Sequence, residues 1–250
     1  MILHIPHSSI VIPAEYRGQF VLSDDELAAE LMTLTDRHTQ ELFSLPGAIR
    51  VVFPLSRLVV DVERFPNDAD EPMAARGMGM IYVRTASGST LRRPLRAEEC
   101  VVLEQAYRNH HDCLKNEVGR ELAGNGRALI VDCHSFPDQP QPCDADQTVP
   151  RPDFCIGRDD YHTPEALALL VKRYLTSLGY RVEENRPFAG ALVPLDYYQK
   201  DRRVSSVMIE VNRRIYMDEE TGLPNPAFDA VKEQLTNLLN QIDYSSRRSN

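Results

Sequence analysis

The order of elements along this chain predicts an α/β fold. The expected form is a three-layer sandwich around a mixed, mostly parallel central sheet, in one domain of residues 1–250. Three observations predict it. Apolar runs of strand length alternate with longer stretches of helical periodicity through most of the chain. Several of those runs are apolar throughout rather than alternating, as in strands covered on both faces. Several also stop abruptly at polar, chemically capable residues, and ligands collect at the carboxyl ends of strands in such sheets. No internal repeat or composition shift marks a domain boundary.

MILHIP (1–6) reads as a short buried strand. SDDELAAELMTLTDRHTQELF (23–43) reads as one helix, because Ser23 and Glu26 fit a capping box. Leu27, Leu31, Leu34, His38 and Leu42 fall on one face of it. IRVVFPL (49–55) and RLVVDVER (57–64) read as two strands around a Pro-Leu-Ser break. Turn formers from NDADEP (67–72) to ARGMGM (75–80) predict a long loop, and IYVRT (81–85) is either a short strand or part of it. The longest helical pattern is AEECVVLEQAYRNHHDCLKNEVGREL (97–122). RALIVDCHS (127–135) has the character of a central strand, and the Pro- and Asp-rich stretch 136–153 that of a loop. DFCIGR (153–158) is a strand, and TPEALALLVKRYLTSLGY (163–180) a helix with Pro at its start and Gly past its end. RVEENRPFAGAL (181–192) gives a strand then a loop, SVMIEVNRRIY (206–216) a buried strand, and NPAFDAVKEQLTNLLNQI (225–242) the closing helix.

Composition narrows the function classes. Apolar residues make up 42%, enough for a sizeable core. No apolar run approaches the roughly 18 residues of a membrane span. The start lacks a basic region, and His4, Pro6 and His7 interrupt its apolar stretch, so no secretory signal is expected. A soluble cytoplasmic protein is therefore expected, with no membrane partner. Five cysteines without CxxC spacing argue against a disulfide framework or a structural zinc knot. A net charge of −9 argues against a nucleic-acid partner, and the clusters LRRPLR and SSRRSN read as solvated surface. There is no GxSxG elbow and no glycine-rich phosphate loop.

The strand ends carry the chemistry. ILHIPH ends at His7, LIVDCH at His134, VMIEVNRR at Glu210 to Arg214, and LVVDVER at Arg64. Histidines and a carboxylate gathered at one sheet edge are the donor types of a catalytic zinc site that keeps a position open for water. Such an ion polarises a substrate carbonyl and makes that water more acidic, and a free carboxylate beside it serves as general base. Asp132 and His134 are two apart and share a strand face, so Asp132 is either a ligand or a carboxylate that orients the histidine. Glu210, in an otherwise apolar run, is costly to bury unless it is functional or paired with Arg213 or Arg214. His4 lies inside the first apolar run and is read as a strand residue without a metal role.

A set of short motifs then occurs in one order: PHSS, TDRHTQEL, DVERFP, YRNHH, DCHSFPD, PDFCIG, NRPFAGA and IEVNRRIY, spanning about residues 4 to 217. This set resembles the N-formylglutamate amidohydrolase family. The resemblance implies a fold like that of zinc carboxypeptidases and aspartoacylase. It also implies hydrolysis, dependent on one Zn2+ or another divalent ion, of the amide of a small acidic N-acyl amino acid. By resemblance His7, His134 and Asp36 look like metal ligands, with His38 as the alternative to Asp36. Glu210 looks like the general base. Arg64 looks like the binder of a substrate carboxylate, which a guanidinium holds bidentately. Arg213, His111 and Asn185 are further substrate-side candidates, with Arg84 and Arg214 behind them and Gly190 in the same loop as Asn185. Related sequences tend to carry Asn where this chain has Glu63, and an acid beside Arg64 is expected to weaken or redirect anion recognition. That departure keeps open another N-acyl amino acid or a short peptide as substrate. A non-catalytic binding protein on the same scaffold would be expected to have lost a ligand or the base.

Overall fold

The computed structural model describes residues 1–248, so the end of the SSRRSN cluster lies outside the described residues. Six strands form one sheet: β1 (Ile2–Ile5), β2 (Ile49–Val52), β3 (Ala128–Phe136), β4 (Phe154–Gly157), β5 (Val182–Glu184) and β6 (Val204–Asn212). Their order is β2-β1-β3-β6-β4-β5. Pairing is parallel except between β4 and β6, so the expected mixed, mostly parallel sheet is present. The helices are α1 (Ala14–Arg17), α2 (Asp24–Leu34), α3 (Thr39–Leu42), α4 (Ala97–Asn125), α5 (Glu165–Ser177) and α6 (Phe228–Arg248). Among the described residues no helix is long and apolar enough to cross a membrane.

Strand alternation sends the apolar residues of the sheet to its two faces. Leu3 and Ile5 of β1, Leu129 and Val131 of β3 and Val207 and Ile209 of β6 pack against α3, α5 and α6. Ile2, Ile130 and Val204 face the other way, onto Leu114 and Val118 of α4. The α4 face also carries the polar residues at the ends of the same strands. In register His4 lies beside Asp132, and His134 beside Glu210.

Two expectations about elements are corrected. The segment 23–43 is not one helix. Its capping box is present, with Ser23 Oγ accepting from the Glu26 amide at 3.3 Å and Glu26 Oε2 from the Ser23 amide at 2.8 Å. The helix nevertheless stops at Leu34. Thr35 is extended, the Asp36 amide donates to the His7 carbonyl at 2.9 Å, and Thr39 Oγ1 donates to the Asp36 carbonyl at 2.7 Å. His38 adopts the left-handed conformation, φ 66°. Short polar side chains offer the backbone these alternatives to helix. RLVVDVER is not a strand either. Leu58, Val59, Val60 and Val62 are buried as their apolar character requires. However, Ser56 Oγ and Asp61 Oδ1 accept from the Leu58 and Glu63 amides, folding the segment into turns. The LRRPLR cluster is not all solvated: Arg92 is buried over Phe20 and donates to the carbonyls of Leu58 and Val59.

Candidate active site

A cavity of about 490 Å³ opens at the carboxyl ends of β1, β3 and β6, on the α4 face of the sheet. His7 lies just past β1, and its Nε2 donates to Asp61 Oδ1 at 2.8 Å. Asp61 is anionic: although burial opposes it, Arg57 and His7 hold its carboxyl well below the usual range. Arg57 bonds it at 2.8 Å and the Tyr82 hydroxyl donates to it. The proton on Nε2 leaves His7 Nδ1 as a lone pair. That atom is buried and has no hydrogen-bond partner among the described residues. Burial lowers the pKa of His7, which keeps the ring neutral.

His134 faces it, with the two ring centroids 5.2 Å apart. Its Nε2 hydrogen-bonds Asp132 Oδ1 at 3.2 Å, and its Nδ1 lies 3.0 Å from Asp36 Oδ2. Strand alternation accounts for the Asp132–His134 pairing, as the Asp-x-His spacing predicts. Burial opposes charge on this ring, but Glu63 and Asp132 raise its pKa well above the ordinary histidine value. Asp132 is fixed from behind, by His4 Nδ1 at 2.8 Å and the Leu192 amide at 3.1 Å, and His4 Nε2 meets His110 Nε2 at 2.8 Å.

Two carboxylates reach the space between the histidines. Asp36 Oδ2 is 3.8 Å from His7 Nδ1, and its other oxygen takes a hydrogen bond from Arg213 at 3.1 Å. Despite burial, His134, His7 and Arg213 hold Asp36 at about 2. Glu63 Oε2 lies 3.5 Å from His7 Nδ1 and 3.0 Å from His134 Nε2. The donor atoms of His7, Glu63 and His134 fall within 4.8 Å of one another, as do those of His4, Glu63 and Asp132. A divalent metal ion fits this set. An unpartnered imidazole nitrogen is buried among carboxylates, and each histidine has an acid behind it to orient it. In a neutral His134 whose Nε2 proton goes to Asp132, the nitrogen open to a cation is Nδ1, which here hydrogen-bonds Asp36 Oδ2 at 3.0 Å.

Glu210 stands opposite His134, 6% exposed, and its Oε2 has no hydrogen-bond partner among the described residues. Burial, reinforced by Asp36, Glu63 and Asp132 and opposed by His134, pushes its pKa up to about 8. It pairs with neither arginine nearby. Arg213 lines the cavity but is spent on Asp36, the Thr33 carbonyl and Ser135, while Arg214 pairs with Asp138 and Asp153.

The remaining candidates divide. Arg64 lines the cavity, and its nearest acid is Asp61 at 3.7 Å. Its Nε is without a hydrogen-bond partner among the described residues, and Tyr107 fixes its backbone carbonyl at 2.9 Å. His111 lines the cavity and donates from Nε2 to the Val62 carbonyl at 2.8 Å. Gly190 lines it too. Asn185 is not among the lining residues: at φ 53° its Oδ1 accepts from the Arg158 amide, shaping the turn after β5. Arg84 bonds within its own loop to Gly88 and Thr90. His38 is turned away, with Nε2 on the Gly222 carbonyl and its ring edge-on to Phe228. The roles of Asp61, Tyr82, Arg57 and the His4–His110 pair escaped the sequence reading. One signal was available, since His4 shares its strand face with Ile2 and so points toward α4.

The family model for N-formylglutamate amidohydrolase matches residues 1–217. An N-formylglutamate deformylase of Pseudomonas aeruginosa is 29% identical over 208 residues, covering 77% of this chain and 74% of that protein. One from Pseudomonas putida is 27% identical, covering 96% of this chain and 92% of that protein. Among solved structures, an N-formylglutamate amidohydrolase from Ralstonia eutropha superposes with a TM-score of 0.83 at 24% identity, over 98% of this chain and 94% of the other. A gene product of Agrobacterium tumefaciens superposes at 0.62 and 20% identity, over 97% and 91%. Their likeness is one of fold, while the family match runs through all six strands. The chain belongs to the N-formylglutamate amidohydrolase family.

Proposed function

We propose that this protein is a metal-dependent hydrolase of the amide bond in a small acidic N-acyl amino acid, with N-formyl-L-glutamate, split to formate and glutamate, as the first candidate. The observation that carries this reading is the buried, unpartnered Nδ1 of His7 between two carboxylates, across one cavity from the unpartnered carboxyl oxygen of Glu210. The names of the two Pseudomonas relatives support the choice of substrate.

His7 and His134 through their Nδ1 atoms, with Asp36, would hold the ion, and Zn2+ suits that set. When bound, a divalent ion supplies Lewis acidity, polarising the scissile carbonyl and making a water more acidic. Asp61 and Asp132 keep both rings in the tautomer that presents Nδ1. Glu210 takes the proton from the attacking water and returns it to the departing nitrogen as the C–N bond breaks. A carboxyl whose proton affinity is already raised suits both transfers. Arg64 receives a substrate carboxylate, and Phe136, Phe188 and Leu192 keep bulk water from the reacting atoms.

The walls favour a second substrate reading. Phe65, Met73, Met78 and Met208 give the cavity a large apolar lining, which suits an N-acyl amino acid with an apolar side chain. Formate release, measured with added Zn2+ or with chelator on N-formyl-L-glutamate, N-formyl-L-methionine and N-acetyl-L-glutamate, separates the two. Glu210→Gln is expected to lower turnover about 10²–10⁴-fold, the usual weight of a general base. No release from any of these substrates with metal supplied sinks the hydrolase reading.

A further inference from the structure

We infer that Glu63 is a fourth protein donor of the metal centre, so that the ion is held by two histidines and two carboxylates. This rests on the metal reading above and deepens it. Glu63 follows the Asp61 turn, and its amide is pinned to Asp61 Oδ1 at 2.9 Å, the same oxygen that holds His7 Nε2. One acid therefore sets both the ring of His7 and the root of the Glu63 side chain. Glu63 lines the cavity at 14% side-chain exposure, with Oε2 3.5 Å from the lone-pair nitrogen of His7. Oε1 reaches back to within 3.5 Å of His4 Nδ1. Oε2 also lies 3.0 Å from His134 Nε2, the nitrogen whose hydrogen bond goes to Asp132 at 3.2 Å.

Two consequences follow. First, the charge of Glu63 is turned toward the histidines while Arg64 looks to Asp61, so the acid next to Arg64 in sequence does not neutralise it. Carboxylate recognition by Arg64 survives the Asn-to-Glu departure. Second, two carboxylates cancel the charge of a divalent ion, and oxygen-rich donor sets suit ions of higher coordination number such as Mn2+ better than a set with one carboxylate does. The centre is then expected to accept Mn2+ with a smaller disadvantage against Zn2+ than a two-histidine, one-carboxylate site has.

The test uses apo protein loaded with Zn2+, Mn2+ or Co2+. Affinities come from competition with a chelator, and coordination from the visible absorption of Co2+, which strengthens as coordination number falls. Glu63→Gln is expected to weaken Zn2+ binding at least about 10-fold, to weaken Mn2+ binding more, and to intensify the Co2+ bands. Glu63→Asp keeps the charge but draws the carboxylate back. It is expected to move affinity and spectrum in the same direction by less, and it carries the test if the glutamine variant does not fold. Wild-type affinities and an unchanged Co2+ spectrum in Glu63→Gln would overturn the inference while leaving the metal reading intact. A wild-type protein that binds none of the three ions overturns both.

Discussion

Of the three arginines that line the cavity, Arg64 is the guanidinium least committed elsewhere, which is why we propose it as the binder of a substrate carboxylate. Arg57 is bonded to Asp61, and Arg213 to Asp36 and Thr33. Arg64 has only a 3.7 Å approach to Asp61 and an Nε with no hydrogen-bond partner among the described residues. A charge-assisted hydrogen bond contributes about 1.5–3 kcal/mol, and lysine cannot reproduce a bidentate contact. Arg64→Lys is therefore expected to raise KM for a dicarboxylate substrate at least about 10-fold, with a smaller change in kcat. Steady-state kinetics on N-formyl-L-glutamate reads this directly, and an unaltered KM removes Arg64 from the binding role. Arg213 plays a different part. It fixes one oxygen of Asp36 and, through Thr33, the end of α2, so we propose it as the residue that positions a ligand candidate.

At the scale of elements, the sequence was most legible where one force dominates. β1, β3 and β6 read correctly because their residues are apolar on both faces, and the Asp-x-His spacing at the end of β3 put Asp132 and His134 on one side as expected. The segment 23–43 misled because helical periodicity continues past Leu34, while the extended Thr35, the long-range bond of the Asp36 amide to the His7 carbonyl and the Thr39 hydroxyl on the Asp36 carbonyl end the helix. That break is what aims Asp36 at His134; on an unbroken helix it would lie opposite the leucine stripe. RLVVDVER misled for a related reason. Burial of its valines was legible, but the turns made by Ser56 and Asp61 were not, and those turns place Asp61 and Glu63 in the site. Gly157 of β4 lies directly under the 187–192 loop that lines the cavity. A Cβ there would sit 2.2 Å from the Gly190 carbonyl oxygen and 2.9 Å from Met208 Cβ. Gly157→Ala must push backbone aside, which in a packed interior costs about 1–3 kcal/mol. A fall in urea midpoint together with weaker substrate binding is expected, since Gly190 and Met208 both line the cavity. An alanine variant with wild-type stability would mean that the 187–192 loop does not rest on β4.

For the whole molecule, the sheet order gathers residues 7, 36, 63, 132, 134 and 210 at one edge, so the site exists only once β1, β3 and β6 are side by side. Gathering that many acids has a cost that depends on pH, and Glu210 bears it. In the unfolded chain Glu210 titrates near 4.5; in the folded protein burial and its acidic neighbours raise it to about 8. Between those values unfolding releases a proton that the folded state retains. Glu210 therefore costs the metal-free protein stability as pH rises through this window, and its cost levels off above about 8. Glu210→Gln has no such proton. Its stability relative to wild type is expected to match at pH 4.5 and to improve steadily toward pH 8. At about 1.4 kcal/mol per pKa unit the difference is on the order of a few kcal/mol, because Glu210 is buried and solvent screens little of its charge. His134, raised by its acidic neighbours, weakens the fold over the upper part of the same range, while His7, His110 and His111, lowered by burial, strengthen it as pH rises toward 6.5; both proteins carry these groups, so Glu210 is read from the difference between them. Urea unfolding of both proteins in chelator, at intervals from pH 4.5 to 8.5, measures this. Parallel stability curves would mean that Glu210 is ionised in the folded, metal-free protein at neutral pH. Saturating Zn2+ is expected to bring the curves together, because a cation beside Glu210 favours its carboxylate and removes the retained proton that separates them.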